Sequence, residues 1–138
     1  MPEKIHLEIV TPERKVFELD VDSVEIPGLD GELGILPGHT ELISQLKPAG
    51  LLTYHIGSEK GQVAISEGFV EVNPDHVIVM ANKATRPQDI DIAKALQTKD
   101  KAEKQLQKVL AEPDGDIERA TIELERASIE LQIAERNR

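Results

Sequence analysis

The chain has 138 residues, a formal net charge of −10 and a pI near 4.8. This charge argues against nucleic acid and anionic lipid as direct partners, because contacts to phosphate need clustered Lys and Arg. The sequence has no cysteine, which excludes disulfides and thiolate sites, and it shows neither a long apolar run nor a basic leader that would predict a membrane span or signal peptide. We expect a soluble protein of a reducing compartment.

The first part of the chain has the twofold periodicity of β-strands. Ile5, Leu7 and Ile9 alternate with mostly polar neighbours, and similar short apolar segments recur as far as residue 82. Turn signals rich in Gly and Pro separate these segments about every eight to twelve residues, which is typical of an antiparallel sandwich or barrel. We therefore predict an N-terminal antiparallel β-sandwich or barrel over residues 1–84.

Within this part, residues 31–39 read Gly-Glu-Leu-Gly-Ile-Leu-Pro-Gly-His. Because glycine adopts positive φ at little steric cost and proline fixes φ, we expect backbone shape to matter at Gly31, Gly34 and Gly38. Three aliphatic side chains are expected to fix the segment to the core: Leu33, Ile35 and Leu36. The segment has no pair of titratable groups at catalytic spacing, so we interpret it as a shaped surface and predict no catalytic residue.

After Asn82 the periodicity becomes helical. Residues 90–111 lack Gly, Pro and aromatic residues, and Asp89 is placed to cap a first helix. Residues 112–115, Glu-Pro-Asp-Gly, predict a turn, and Asp116 is a suitable N-cap for a second helix. We predict an antiparallel two-helix hairpin over residues 85–138, which makes the fold class α+β.

The predicted seam between the two helices is rich in alanine. On the first helix it comprises Ala95, Ala102, Leu106 and Val109, and on the second Ile117, Ala120, Leu124, Ala127, Leu131 and Ala134. Burying an alanine methyl contributes about 0.8 kcal/mol, whereas ordering each residue costs about 1–2 kcal/mol. We therefore expect a hairpin that can detach from the sandwich. A second apolar line is available to pack on the sandwich or on a partner: Ile122, Ile129 and Ile133.

Residues 31–39, the segment Ser-Glu-Gly-Phe-Val-Glu-Val at 66–72 and the helix at 90–106 together resemble the ε subunit of the rotary F-type ATP synthase. The resemblance covers the whole chain. It implies a non-catalytic rotor subunit of a proton-translocating complex, whose sandwich binds the γ subunit and sits on the c-ring. The helical hairpin is then expected either to fold against the sandwich or to extend toward the catalytic α/β ring, where it restrains ATP hydrolysis.

The resemblance also implies sites and a location. The expected c-ring and γ contacts are Gly31, Glu32, Leu33, Gly34 and His39, although His39 could instead hydrogen-bond its own turn. A nucleotide motif of some relatives falls on Ile90, Asp91, Lys94, Ala95 and Arg126. Lys94 and Glu130 stand where those relatives carry Arg, which weakens phosphate recognition, so ATP is not expected as a required ligand. Contacts to an acidic partner that restrain hydrolysis are expected from Arg119, Arg126, Arg136 and Arg138. The expected location is peripheral, on the cytoplasmic face of a bacterial cell membrane, or alternatively on the stromal face of a plastid thylakoid.

The main alternative is a free-standing nucleotide-binding sandwich that uses the hairpin as a lid. The low aromatic content, 2% of residues, leaves little to line such a pocket. A dimeric scaffold joined through the heptad helices is a third possibility. We expect no metal site, because His6, His39, His55 and His76 have no Cys or acidic companions at ligand spacing along the sequence.

Overall fold

The computed structural model describes residues 4–136. Its first part contains eight β-strands, and a 3-10 helix, Pro87–Asp89, connects them to two α-helices. The strands are β1 Ile5–Val10, β2 Lys15–Val21, β3 Ser23–Gly28, β4 Gly31–Ile35, β5 Leu42–Gln45, β6 Gly50–Ile56, β7 Glu59–Val72 and β8 His76–Thr85, and the helices are α1 Ile92–Leu110 and α2 Ile117–Arg136. The prediction of a β-domain followed by two helices is confirmed.

The strands are ordered β2-β1-β8-β7-β6-β3-β4, and β5 also pairs with β7. Most pairs are antiparallel, as predicted, but β1 and β8 run parallel. No hairpin joins these two strands, because β2 to β7 separate them along the chain. Local turn signals therefore carry no information on this pairing, and the prediction of a purely antiparallel sheet is wrong at this point.

The core is built from aliphatic side chains that alternate along the strands. Ile5, Leu7 and Ile9 of β1 are completely buried, and valines and isoleucines of the other strands complete the same cluster. Burial of alternate residues is what a two-layer sandwich requires, since successive side chains point to opposite faces.

The long strand β7 holds the two layers together. Its first part pairs with β6 and its last part with β5, while β8 accompanies it on the other side. The change of partner occurs at Glu67 and Gly68, whose φ angles are 29° and 134°. Gly68 is required there because a Cβ would collide with the carbonyl oxygen of Met80.

The helix boundaries follow the predicted signals with one shift. The side chain of Asp116 accepts a 3.1 Å hydrogen bond from the Arg119 backbone N–H, so its predicted role as N-cap is confirmed. The first helix is capped by Asp91 and not by Asp89. Asp89 lies in the 3-10 helix that Pro87 opens and pairs with Arg86 instead.

Most of the predicted hairpin seam is buried, but Leu106 and Leu124 are only partly buried. Buried seam residues on α1 and α2 are Ala95, Ala102, Val109, Ala120, Ala127, Leu131 and Ala134. Ile117 was expected in this seam but is 47% exposed, because it is the first residue of α2 and lies beside the turn. Within the described residues, neither helix is long and apolar enough to cross a membrane.

Candidate functional site

Residues 29–45, which comprise β4, β5 and the turns beside them, form a mostly exposed segment that backbone hydrogen bonds hold in place, and we call this segment the loop region. At its start, the Leu29 N–H donates to the Gln45 carbonyl over 2.8 Å. In its middle, the Gly38 N–H donates to the Pro74 carbonyl over 2.7 Å, which ties the loop to the turn between β7 and β8. A surface fixed in this way loses little entropy when it binds a partner.

The predicted interface residues lie on this loop region with different exposures. Gly31, Glu32 and Gly34 are exposed, whereas Leu33 is partly buried against the core. His39 is half-buried, and its Nδ1 lies 2.7 Å from the Thr40 carbonyl oxygen, which is the local alternative considered above. The predicted interface residues therefore all lie on the loop region, and contact between these residues and the γ subunit or the c-ring stays a prediction.

Two expectations about this segment are wrong. Leu36 is 64% exposed and does not fix the loop to the core. Gly34 has no positive φ, and a Cβ built on it would meet nothing within 4 Å. Gly34 lies inside strand β4, opposite Glu25, so its backbone is ordinary. Gly31 and Gly38 do have positive φ, as expected.

An exposed apolar patch extends from Ile43 in the loop region onto β7 and β8, and the sequence reasoning missed it. Phe69 and Met80 face each other across β7 and β8 and are 52% and 40% exposed. Ile43 of β5 is paired with Glu71, two residues from Phe69, and is 74% exposed. The available signal was Phe69 itself, a large apolar residue at an outward position directly after Gly68.

The hairpin is held on the sandwich through one face of α2. The Glu130 carboxylate is 3.1 Å from Lys83 Nζ and accepts a 3.3 Å hydrogen bond from the Thr85 hydroxyl. One turn earlier, Arg126 Nη2 donates to the Pro48 carbonyl over 3.3 Å. Ile133, on the same face as these two residues, is completely buried. We call Arg126, Glu130 and Ile133 the docking face.

A cavity of about 530 Å³ lies between the two helices and the end of the sandwich. Its charged lining comprises Lys83, Lys101, Glu123, Arg126 and Glu130. Of the predicted nucleotide set only Arg126 lines it. Asp91 is the N-cap of α1, where its carboxylate accepts from the Lys94 N–H, and Ala95 is buried in the hairpin seam. The structure therefore does not gather the predicted motif around this cavity.

The arginines expected to restrain hydrolysis are placed differently from one another. Arg119 is exposed and lies 3.6 Å from Glu123 within α2, while Arg126 belongs to the docking face. Arg136 is exposed at the end of α2, and Arg138 lies outside the described residues. Contacts of Arg119, Arg126 and Arg136 with a partner stay a prediction.

The expectation that the histidines lack acidic companions is wrong. His55 Nε2 is 3.1 Å from Glu25, and His6 contacts both Asp20 and Glu18. Hydrogen bonds that the His6 ring donates to the carboxylates of Asp20 and then Glu18 raise the pKa of His6, and the hydrogen bond that Glu18 accepts from His6 lowers the pKa of Glu18. These partners come from neighbouring strands, so spacing along one segment does not reveal them.

Comparison with known proteins gives matches over both parts of the chain. Residues 4–87 match the family described as ATP synthase, Delta/Epsilon chain, beta-sandwich domain, and residues 88–135 match its long alpha-helix domain. The chain is 44% identical over 132 residues to the ATP synthase epsilon chain of Halalkalibacterium halodurans, covering 96% of this chain and 98% of that one. It is also 44% identical over 138 residues to that of Syntrophobacter fumaroxidans, with 99% of each covered.

Solved structures give a similar result. A chain in the cryo-EM structure of the Euglena gracilis mitochondrial ATP synthase, OSCP/F1/c-ring in rotational state 1, superposes with a TM-score of 0.77. It is 27% identical in sequence, and the match covers 97% of this chain and 82% of that one.

Proposed function

The chain belongs to the delta/epsilon chain family of ATP synthase, and from this premise we propose that it is a non-catalytic subunit of the central stalk, which couples the γ subunit to the c-ring and restrains ATP hydrolysis through its helices. The observation that carries this proposal is the match of both family domains, in order, over residues 4–135. The resemblance noted in the sequence is thereby confirmed at the level of the family.

Coupling is assigned to the sandwich. A rotor element has to transmit torque without deforming. The loop region 29–45 is closed by the Leu29–Gln45 hydrogen bond and is fixed to the sandwich by the Gly38–Pro74 hydrogen bond and by the pairing of β4 with β3 and of β5 with β7. We propose that Glu32 and its neighbours contact the polar loops of the c-ring. The patch of Ile43, Phe69 and Met80 offers exposed apolar area of the kind that protein interfaces bury, and we assign it to the γ subunit.

Restraint of hydrolysis is assigned to the hairpin, because the hairpin is weakly held. Its docking face has one fully buried large side chain, Ile133, and polar contacts made by Glu130 and Arg126. The Lys83 and Glu130 side chains are 58% and 17% exposed, so water screens this ion pair from the lysine side; fully exposed ion pairs contribute about 0–1 kcal/mol. An undocked hairpin would present Arg126, together with the already exposed Arg119 and Arg136, to an acidic surface of the α/β ring.

We propose a peripheral position on the cytoplasmic face of a bacterial cell membrane, with the stromal face of a plastid thylakoid as the alternative. ATP is not assigned as a ligand. The cavity between the helices has a volume within the range of ligand sites, but Glu123 and Glu130 line it together with the basic groups. Carboxylates at this position oppose a polyphosphate, and Glu130 already pairs with Lys83.

The experiment that tests the restraint is removal of residues 113–138 from the assembled ATP synthase. ATP hydrolysis is expected to rise while proton-driven ATP synthesis is largely retained, because the sandwich still joins γ to the c-ring. A matched control keeps the full length and replaces the turn Pro113–Gly115 by Gly-Ser-Gly. Unchanged hydrolysis after truncation would show that the helices are structural. Loss of γ binding after truncation would contradict the assignment of coupling to the sandwich.

A further inference from the structure

We propose that the outer face of strands β2 and β1 binds a divalent metal ion of the zinc type, with His6, Glu8 and Glu18 as its ligands. One ring nitrogen of His6 and one carboxylate oxygen from each glutamate all lie within 4.8 Å of one another. Ligands around tetrahedral zinc are about 3.4 Å apart for bonds of about 2.0–2.2 Å. The three groups therefore reach an ion through small side-chain rotations, with the backbone unchanged.

The strand register produces this cluster. Glu8 of β1 lies directly opposite Glu18 of β2, and His6 lies opposite Asp20. Residues two apart on a strand share a face, so these four side chains occupy neighbouring positions on the same outer surface. The parallel strand β8 adds His76 beside His6, with the two rings 5.3 Å apart and nearly perpendicular.

The hydrogen bond between His6 Nδ1 and Asp20 already orients the His6 ring as metal sites require. His6 Nε2 lies 2.9 Å from Glu18, whereas Nδ1 lies 2.8 Å from Asp20 Oδ1. Metal-ligating histidines almost always donate their other N–H to a carboxylate or carbonyl, which fixes the ring and its tautomer. Asp20 supplies such a partner for His6, so Nε2 is the nitrogen presented to the ion. We assign Asp20 as a positioning residue.

The local charge also favours a cation. Like charges placed directly opposite each other on adjacent strands are destabilising, and Glu8 faces Glu18 in this way. Lys15 Nζ lies 3.3 Å and 3.4 Å from these two carboxylates and balances them. An ion would take over this role and release Lys15, whose side chain is 48% exposed, into water.

His76 is an independent indication of a metal site, because one of its ring nitrogens is available as a further ligand on this surface. Its Nε2 is shielded from solvent and makes no hydrogen bond within the described part of the chain, although it lies 3.5 Å from Glu8 Oε2. That separation matches the spacing between adjacent ligands of tetrahedral zinc. Imidazole with carboxylate suits zinc and its neighbours in the first transition series, whereas magnesium demands octahedral oxygen coordination and keeps its waters.

The test is titration of tag-free, full-length protein with zinc chloride by calorimetry, with thermal melting and the visible absorption of bound cobalt(II) as further readouts. We expect one ion per chain and a rise in Tm of about 5–10 °C at a free zinc concentration 100 times the dissociation constant. His6→Gln and Glu18→Gln should each weaken binding at least tenfold. Asp20→Asn should weaken it about tenfold through orientation of His6, and Lys15→Met should strengthen it.

His55→Gln is the matched control, because His55 also contacts a carboxylate, Glu25, but belongs to no cluster of three candidate ligands among the described residues. It should bind zinc as the unmodified protein does. Zinc affinity that falls equally in His55→Gln and His6→Gln would overturn the site, as would the absence of saturable binding in the unmodified chain. Because variants are compared by the zinc-induced shift in Tm, a loss of stability in a variant does not obscure the result.

Discussion

The substitution Ile133→Ala tests how the hairpin is held on the sandwich. Ile133 is completely buried on the docking face of α2, and replacing a buried Ile by Ala costs about 2–5 kcal/mol. A helix lying on a sheet can settle into part of the space, so we expect the lower end, about 2–3 kcal/mol. That shifts the equilibrium between docked and undocked hairpin by about 30- to 150-fold. The matched control is Ile117→Ala in the same helix, where the side chain is 47% exposed.

Two assays read this equilibrium. Hydrogen exchange of backbone amides in α2 should accelerate in Ile133→Ala and stay nearly unchanged in Ile117→Ala, because only the former loses docking energy. In the assembled enzyme, a hairpin that restrains hydrolysis when extended should make Ile133→Ala hydrolyse ATP more slowly than the control. Removal of residues 113–138 should have the opposite effect.

Ile133→Ala and the truncation are expected to change the rate of ATP hydrolysis in opposite directions. If Ile133→Ala and the truncation both accelerate hydrolysis, the docked hairpin is the restraining form, and the proposed role of undocking is wrong. If the exchange rates of α2 are equal in Ile133→Ala and Ile117→Ala, Ile133 does not hold the hairpin, and the docking face has been misassigned.

Three further predictions concern the backbone, the cavity and acid stability. Gly34→Val should leave the Tm nearly unchanged, because a Cβ there meets nothing within 4 Å, whereas Gly68→Val should lower the Tm by several degrees or prevent folding, because Cβ would collide with the Met80 carbonyl; equal effects in thermal melts would contradict this. Millimolar ATP should change the Tm by less than about 1 °C, because we expect a dissociation constant for ATP that is no lower than millimolar. A ligand present at its dissociation constant adds only about 0.4 kcal/mol to the free energy of unfolding; a large shift in Tm would establish a nucleotide site. The Gly57 N–H and then Lys4 hold the pKa of Asp22 below its ordinary value of 3.8, so its stabilising effect is present above that value and is lost as pH falls through the lower, folded-state pKa. The Tm advantage of the unmodified chain over Asp22→Asn should therefore stay constant well above pH 3.8 and shrink as the pH is lowered below that value, and a constant advantage would contradict this assignment.

Features set by local periodicity could be predicted from the sequence. The alternation in β1, the Asp116 cap and the alanine seam depend on residues close together in the chain, and the structure confirms them. Features set by pairing between distant segments could not. The parallel contact of β1 with β8 joins residues about seventy positions apart, and it places His76 beside His6.

The candidate site shows the same limit. The position of the loop region 29–45 was evident from its glycines, but the exposure of Leu36 and the ordinary backbone of Gly34 depend on how β4 ends and pairs. The acidic neighbours of His6 come from β2, at a distance along the chain that no ligand-spacing rule anticipates. Glu130 was interpreted only as a group that repels phosphate, and its contact with Lys83 became visible once α2 was placed on the sandwich.

The most direct test of the central claim is quantitative co-purification from detergent-solubilised membranes. Affinity-tagged chains of residues 1–138 and 1–86 would be compared for recovery of the γ subunit and of the c-ring. We predict that both chains recover γ and c-ring in the same ratio, because the loop region 29–45 and the patch of Ile43, Phe69 and Met80 lie in the sandwich. Recovery by the full chain alone would place coupling in the helices, and recovery by neither would contradict the proposed place of this chain in the central stalk.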